Sequence, residues 1–181
     1  MRIQKPVRAK ILALLNGEDR RTIGRSNQVA AIVSNDPDLF RELIAGLWDT
    51  DAALRMRAAD AAEKVTRKHP ELLQPYKKEL LGLMSEVEQQ ELRWHLAVMV
   101  PRLALNARER QSAMTSLSAY LEDRSSIVKT FTLQGLADLA EDVPSVRSTV
   151  LEILREATRN GTPAMKARSR KLLLRLERVQ P

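Results

Sequence analysis

The chain has 181 residues, enough for one domain, with 44% hydrophobic, 29% charged and only 3% aromatic residues, a profile that favours packed amphipathic helices over a β-rich or disordered chain. Cysteine is absent, which excludes disulfides, thiolate metal ligands and a thiol nucleophile. The net charge of +7 gathers at the two ends: residues 1–25 carry seven bases against two acids and residues 155–181 eight against two, leaving fifteen bases and nineteen acids between them. Basic ends can mark an anionic partner, although the favoured reading is the charged outer faces that terminal units of a stacked array need.

The N-terminal residues Met-Arg-Ile-Gln-Lys-Pro lead into a short amphipathic stretch from Val7 to Leu15 that has charges inside it, without the apolar core of a signal peptide. No apolar run approaches the roughly 20 residues of a membrane span, so the expectation is a cytoplasmic protein that does not enter a membrane. Residues Ile23 to Val33 read as a degenerate helix. Asp36-Pro37 then opens an amphipathic segment over Leu39–Trp48, Pro being tolerated in a first turn. Similar segments follow over Leu72–Met84, Arg108–Leu121 and Val146–Ala157. Asn106-Ala-Arg-Glu109 has the pattern of a capping box. Asn160-Gly161 reads as a left-handed helix stop, and Thr162-Pro163 as the next entry.

Between these segments lies a repeat. Leu54-Arg55, Leu92-Arg93, Val128-Lys129 and Met165-Lys166 each pair an apolar residue with a base, and the bases are 38, 36 and 37 residues apart. Seven residues after each leading apolar position stand Ala61, Met99, Gly135 and Leu172; eight after, Ala62, Val100, Leu136 and Leu173; eleven after, Val65, Leu103, Leu139 and Leu176. Steps of this size fall on one helical face. Four helices thus present the same stripe at a common period, and the short links between segments make successive helices antiparallel neighbours.

With Asp51, Leu54, Arg55, Ala58 and Ala61 matching best, the chain resembles HEAT-repeat proteins over roughly residues 20–180. Later units depart from the pattern, with Leu96 at a small-residue position and Lys129 and Lys166 in place of Arg. The resemblance implies an all-α, right-handed α-solenoid of antiparallel helical hairpins in one domain, with repeats at about 37–69, 70–105, 106–141 and 142–180 and a degenerate cap over residues 1–35. It also implies that Arg55 and Arg93 bridge to an acid in a neighbouring turn or repeat.

No phosphate-binding loop, nucleophile elbow or zinc-protease motif is present. His69 precedes Pro70 and His95 precedes Leu96, which departs from the paired His-Glu motifs of HEAT-like di-iron hydroxylases. The stretch from Arg41 to Trp48-Asp49 is similar to DNA alkylation-repair glycosylases of HEAT-like build, although two Trp, two Tyr and two Phe are a poor supply for a base-holding pocket. No catalytic residue, metal or cofactor is expected.

Positions three and ten after each leading apolar residue share one flank: Arg57 and Lys64, His95 and Arg102, Phe131 and Asp138, Arg168 and Arg175. In the last helix the flank extends through Lys171 and Arg178, and Val98 joins Phe131 as an apolar island. In HEAT arrays such second helices line the concave side. The row is therefore expected either to form a partly basic groove or to be a solvated face. The favoured reading is a non-catalytic scaffold for a protein or peptide with acidic segments. The alternative is a nucleic-acid-binding protein. On this phasing Ala58 points inward, and Arg57 stands on the solvent flank.

Overall fold

The computed structural model describes residues 11–17 and 22–178; the residues up to Lys10, residues 18–21 and the last three of the chain lie outside the described residues. Among the described residues there are ten α-helices and no strand: α1 (Ile11–Leu15), α2 (Ser26–Asn35), α3 (Phe40–Ala45), α4 (Ala52–Thr66), α5 (Lys77–Glu86), α6 (Gln90–Met99), α7 (Ala107–Tyr120), α8 (Ser126–Ala140), α9 (Pro144–Asn160) and α10 (Pro163–Arg178). Two compact units are present, Met1–Pro75 and Tyr76–Pro181, and the boundary falls inside the repeat expected at 70–105.

In the first unit α4 is the central helix, packed by α1, α2 and α3. Its start is fixed by Asp51, whose Oδ1 accepts the Ala53 N–H at 2.8 Å and so satisfies an otherwise orphaned donor. Leu54, Ala58, Ala61, Ala62 and Val65 are all buried, the last four completely. The inward stripe read from the sequence is therefore the core face. Its small residues let neighbours approach closely: a Cβ on Gly46 would stand 2.8 Å from that of Ala58.

In the second unit α8 packs against α6 on one side and α10 on the other, with α7 and α9 also against it, while α5 packs on α7. Enclosed by four helices, α8 buries Thr132, Leu133, Gly135, Leu136 and Ala137 around nearly its whole circumference. Gly135 is required by the α6–α8 approach, since a Cβ there would lie 2.1 Å from the Ala97 carbonyl oxygen. Asn106 and Glu109 form the expected capping box at the start of α7, the two reciprocal bonds measuring 2.9 and 2.8 Å.

Boundary chemistry departs from the sequence reading in three places. The segment at 72–84 is not one helix: Pro70–Tyr76 is a 3-10 helix and α5 starts only at Lys77, because Pro75 has no N–H to donate. Pro101 likewise ends α6 at Met99, and Val100–Arg102 forms a 3-10 turn. Gly161 follows α9 in an extended conformation (φ −74°, ψ 171°) rather than the expected left-handed one. Glycine is needed there for space, since a Cβ would lie 2.4 Å from the Ala157 carbonyl oxygen.

Candidate functional site

The residues of the expected basic row have distinct fates, beginning with a correction. Arg57 is not on a solvent flank: it is only 2% exposed. Its Nη1 donates to the Leu15 and Gly17 carbonyls at 2.8 and 3.3 Å, and its Nε to the Thr22 carbonyl at 3.1 Å. The long side chain crosses from α4 to the backbone after α1, where carbonyls without helical partners stabilise the guanidinium. Arg57 therefore fastens two segments of the first unit and offers nothing to a partner. Lys64, half-buried, is shared between Asp60 and Asn27 at 2.5 Å each.

In the second unit His95 and Val98 are buried, which removes both from any exposed groove. The His95 Nδ1 lies 2.6 Å from the Glu91 carbonyl and must donate to it, while Nε2 accepts the Trp94 indole N–H at 3.2 Å. This pattern fixes the orientation of the ring, in a packing role. Arg102, half-buried, ends the 3-10 turn that Pro101 imposes instead of continuing the flank of α6.

Between α8 and α10 the equivalent positions meet side by side. The Arg168 guanidinium lies over the Phe131 ring at 5.8 Å and donates to Gln134 Oε1 at 2.8 Å. Arg175 donates to Asp138 Oδ1 at 2.7 Å and stands 3.8 Å from Glu141 Oε1. Residues that looked like interruptions of the basic row are thus its internal partners. What stays outward on α10 is a different face: Arg170, Lys171 and Arg178 are exposed, and between them Leu174 is 58% exposed. The repeat placed Leu172, Leu173 and Leu176 on the inward stripe and said nothing of Leu174. A step of two residues from Leu172 rotates it about 200° away from the core.

Arg93 and Arg55, both expected to bridge to an acid, are each engaged in structural contacts. Arg93 donates to Asp123 Oδ2 at 2.7 Å and to the Val87 carbonyl at 2.8 Å, and its guanidinium lies 5.2 Å from the Tyr120 ring centroid. Burial pushes the Asp123 carboxyl upward, but the Ser125 N–H and the Arg93 guanidinium outweigh it and hold the group below its ordinary range. Arg55 donates to the carbonyls of Asp49 and Thr50, in the turn before its own helix.

Asp49, in the stretch that resembles repair glycosylases, accepts the Asp51 N–H at 2.8 Å and shapes the entry to α4. Its neighbour Trp48 is 44% exposed. Among the described residues no group of three or more His, Asp or Glu side chains is placed to hold a metal ion, and no helix is long and apolar enough to cross a membrane. Compared with family models, curated proteins and solved structures, the chain matches none at a significant level.

Proposed function

We propose that this chain is a non-catalytic interaction scaffold of the HEAT-like α-solenoid type, and that it binds an acidic protein segment through the outer face of α10. The observation that carries this reading is the arrangement on α10 itself. Arg168 and Arg175 are held by α8, whereas Lys171 and Arg178 are exposed on either side of the exposed Leu174. An exposed large apolar side chain with cations one turn to either side, and Glu177 beside it already paired with Arg155, suits a partner that carries its own apolar residue among carboxylates. The side-by-side placement of equivalent positions in α8 and α10 supports the solenoid reading, since stacked repeats bring such positions together.

The same cations could meet phosphates, and fluorescence anisotropy separates the two partners. A labelled amphipathic peptide of leucine and glutamate and a labelled DNA duplex are each titrated at low and moderate salt. The scaffold reading expects saturable peptide binding that is lost in a Lys171→Glu, Leu174→Ser, Arg178→Glu variant of unchanged helicity. Tighter binding of duplex, falling steeply with salt, supports the nucleic-acid reading instead. Peptide binding that survives the triple variant overturns the assignment of α10.

A further inference from the structure

A second surface of the same unit has the opposite electrostatic character. The turn after α7, Leu133 of α8, the C-terminal half of α9 and the start of α10 border an open pocket of about 660 Å³, within the range of ligand-binding pockets. Its floor is apolar, built from Leu121, Leu133, Ile153 and Met165. Leu133 is fully buried and the other three are half-buried, so their outer surfaces face the opening. The rim is acidic, with Glu122, Glu152 and Glu156 all exposed.

The single cation among the described residues of this rim, Arg159, is engaged by Glu156 at 2.6 Å, so Glu122 and Glu152 leave the rim negative. Asn160 donates to the other oxygen of the Glu156 carboxylate, which fixes it in place. The Arg159 and Asn160 side chains also hold the Glu156 carboxyl below its ordinary range, so it is ionised at neutral pH. With no Cβ at Gly161, the chain passes against the Ala157 carbonyl and reverses within two residues into α10, which sets Met165 across from Ile153.

We infer that this pocket is a docking site for a cationic peptide segment, one that seats an aliphatic side chain on the surface of Leu121, Ile153 and Met165, above the buried Leu133, and sets flanking Lys or Arg residues against Glu122 and Glu152. The site is independent of the α10 outer face and selects the opposite charge. A purely apolar ligand would leave the carboxylates of the rim desolvated without compensation, and an acidic one would be repelled by them. Cations beside the anchor satisfy both requirements and speed association at low salt.

The test titrates the full chain with a short fluorescein-labelled peptide in which a leucine pair is flanked by lysines. Saturable binding is expected, weakened about tenfold by the Glu122→Lys, Glu152→Lys double variant and by Ile153→Ser, and weakened by salt. Should either variant lose helicity, Glu152→Gln with Glu122→Gln provides the milder charge removal, with a reduced effect in the same direction. Replacing the peptide leucines by serine should abolish binding. The inference is overturned by absence of saturable binding, by equal affinity for the double variant, or by equal affinity for a peptide with glutamate in place of lysine. The variants of α10 belong to a different face and an acidic probe, so the two assignments fail separately.

Discussion

The Arg175 guanidinium meets the Asp138 carboxylate at 2.7 Å, and the two residues occupy the same position, ten after the leading apolar residue, in successive 37-residue units. Equivalent positions of α8 and α10 are therefore lateral neighbours. At this pair the opposite charges neutralise each other. With both side chains about one-third exposed, the pair should contribute little: a double-mutant cycle with Arg175→Ala and Asp138→Ala is expected to give a coupling of about 0.5 kcal/mol, reduced by salt.

Arg57→Ala should destabilise the first unit by about 3 kcal/mol, because three carbonyls lose a charged donor in a buried site. Arg57→Glu should cost more, since it places a carboxylate against those carbonyls. Ala58→Glu, at a position with no exposure, should unfold the unit. Urea denaturation of the three variants checks the order. A midpoint for Arg57→Ala equal to that of the parent would contradict the placement of the guanidinium.

Two glycine-to-alanine exchanges should move stability in opposite directions. Gly82 lies within α5, and an added methyl there would meet nothing within 4 Å, so Gly82→Ala should stabilise by about 0.5–1 kcal/mol through backbone entropy. Gly135→Ala would drive a methyl into the Ala97 carbonyl and push α6 from α8, at about 3 kcal/mol. Thermal melting of both variants reads the two signs directly.

Asp123 gives a pH dependence. Its carboxyl is held below its unfolded value near pH 4, so the bound carboxylate stabilises the fold above that value and the contribution is lost as pH falls through the lowered folded value. Asp123→Asn should therefore be destabilised by about 1–2 kcal/mol at pH 7, with the difference shrinking below pH 4 and vanishing in stronger acid. Denaturation midpoints of both proteins across pH 2–7 provide the check. A constant difference would show that Arg93 is not sensing the charge.

Periodicity made the helices and their inward faces legible, since Ala61, Met99, Gly135 and Leu172 are buried as a set. Capping chemistry placed the start of α7 at Asn106 for the same reason: a local pattern has a local cause. The flank was harder to read, because whether a base faces water depends on what stands opposite it. Arg57 sits one residue from the core stripe and is long enough to reach carbonyls some forty residues away in the chain. Pro101 shows a second limit. A constant spacing of ten residues places Arg102 beside Lys64 and Arg175 only if the helix continues, and the proline ends it at Met99. The acid-rimmed pocket draws on the turn after α7, on α8, α9 and the start of α10, which no window of sequence brings together.

The outer face of α10 can be tested residue by residue with backbone amide NMR of the ¹⁵N-labelled protein, titrated with the leucine–glutamate peptide. The expected result is a contiguous set of shift changes at Lys171, Leu174 and Arg178, fading with added salt, while the amides of Arg57 and His95 stay in place. Saturable peptide binding that shifts amides elsewhere and leaves those three unmoved would contradict the assignment of this face as the partner-binding surface.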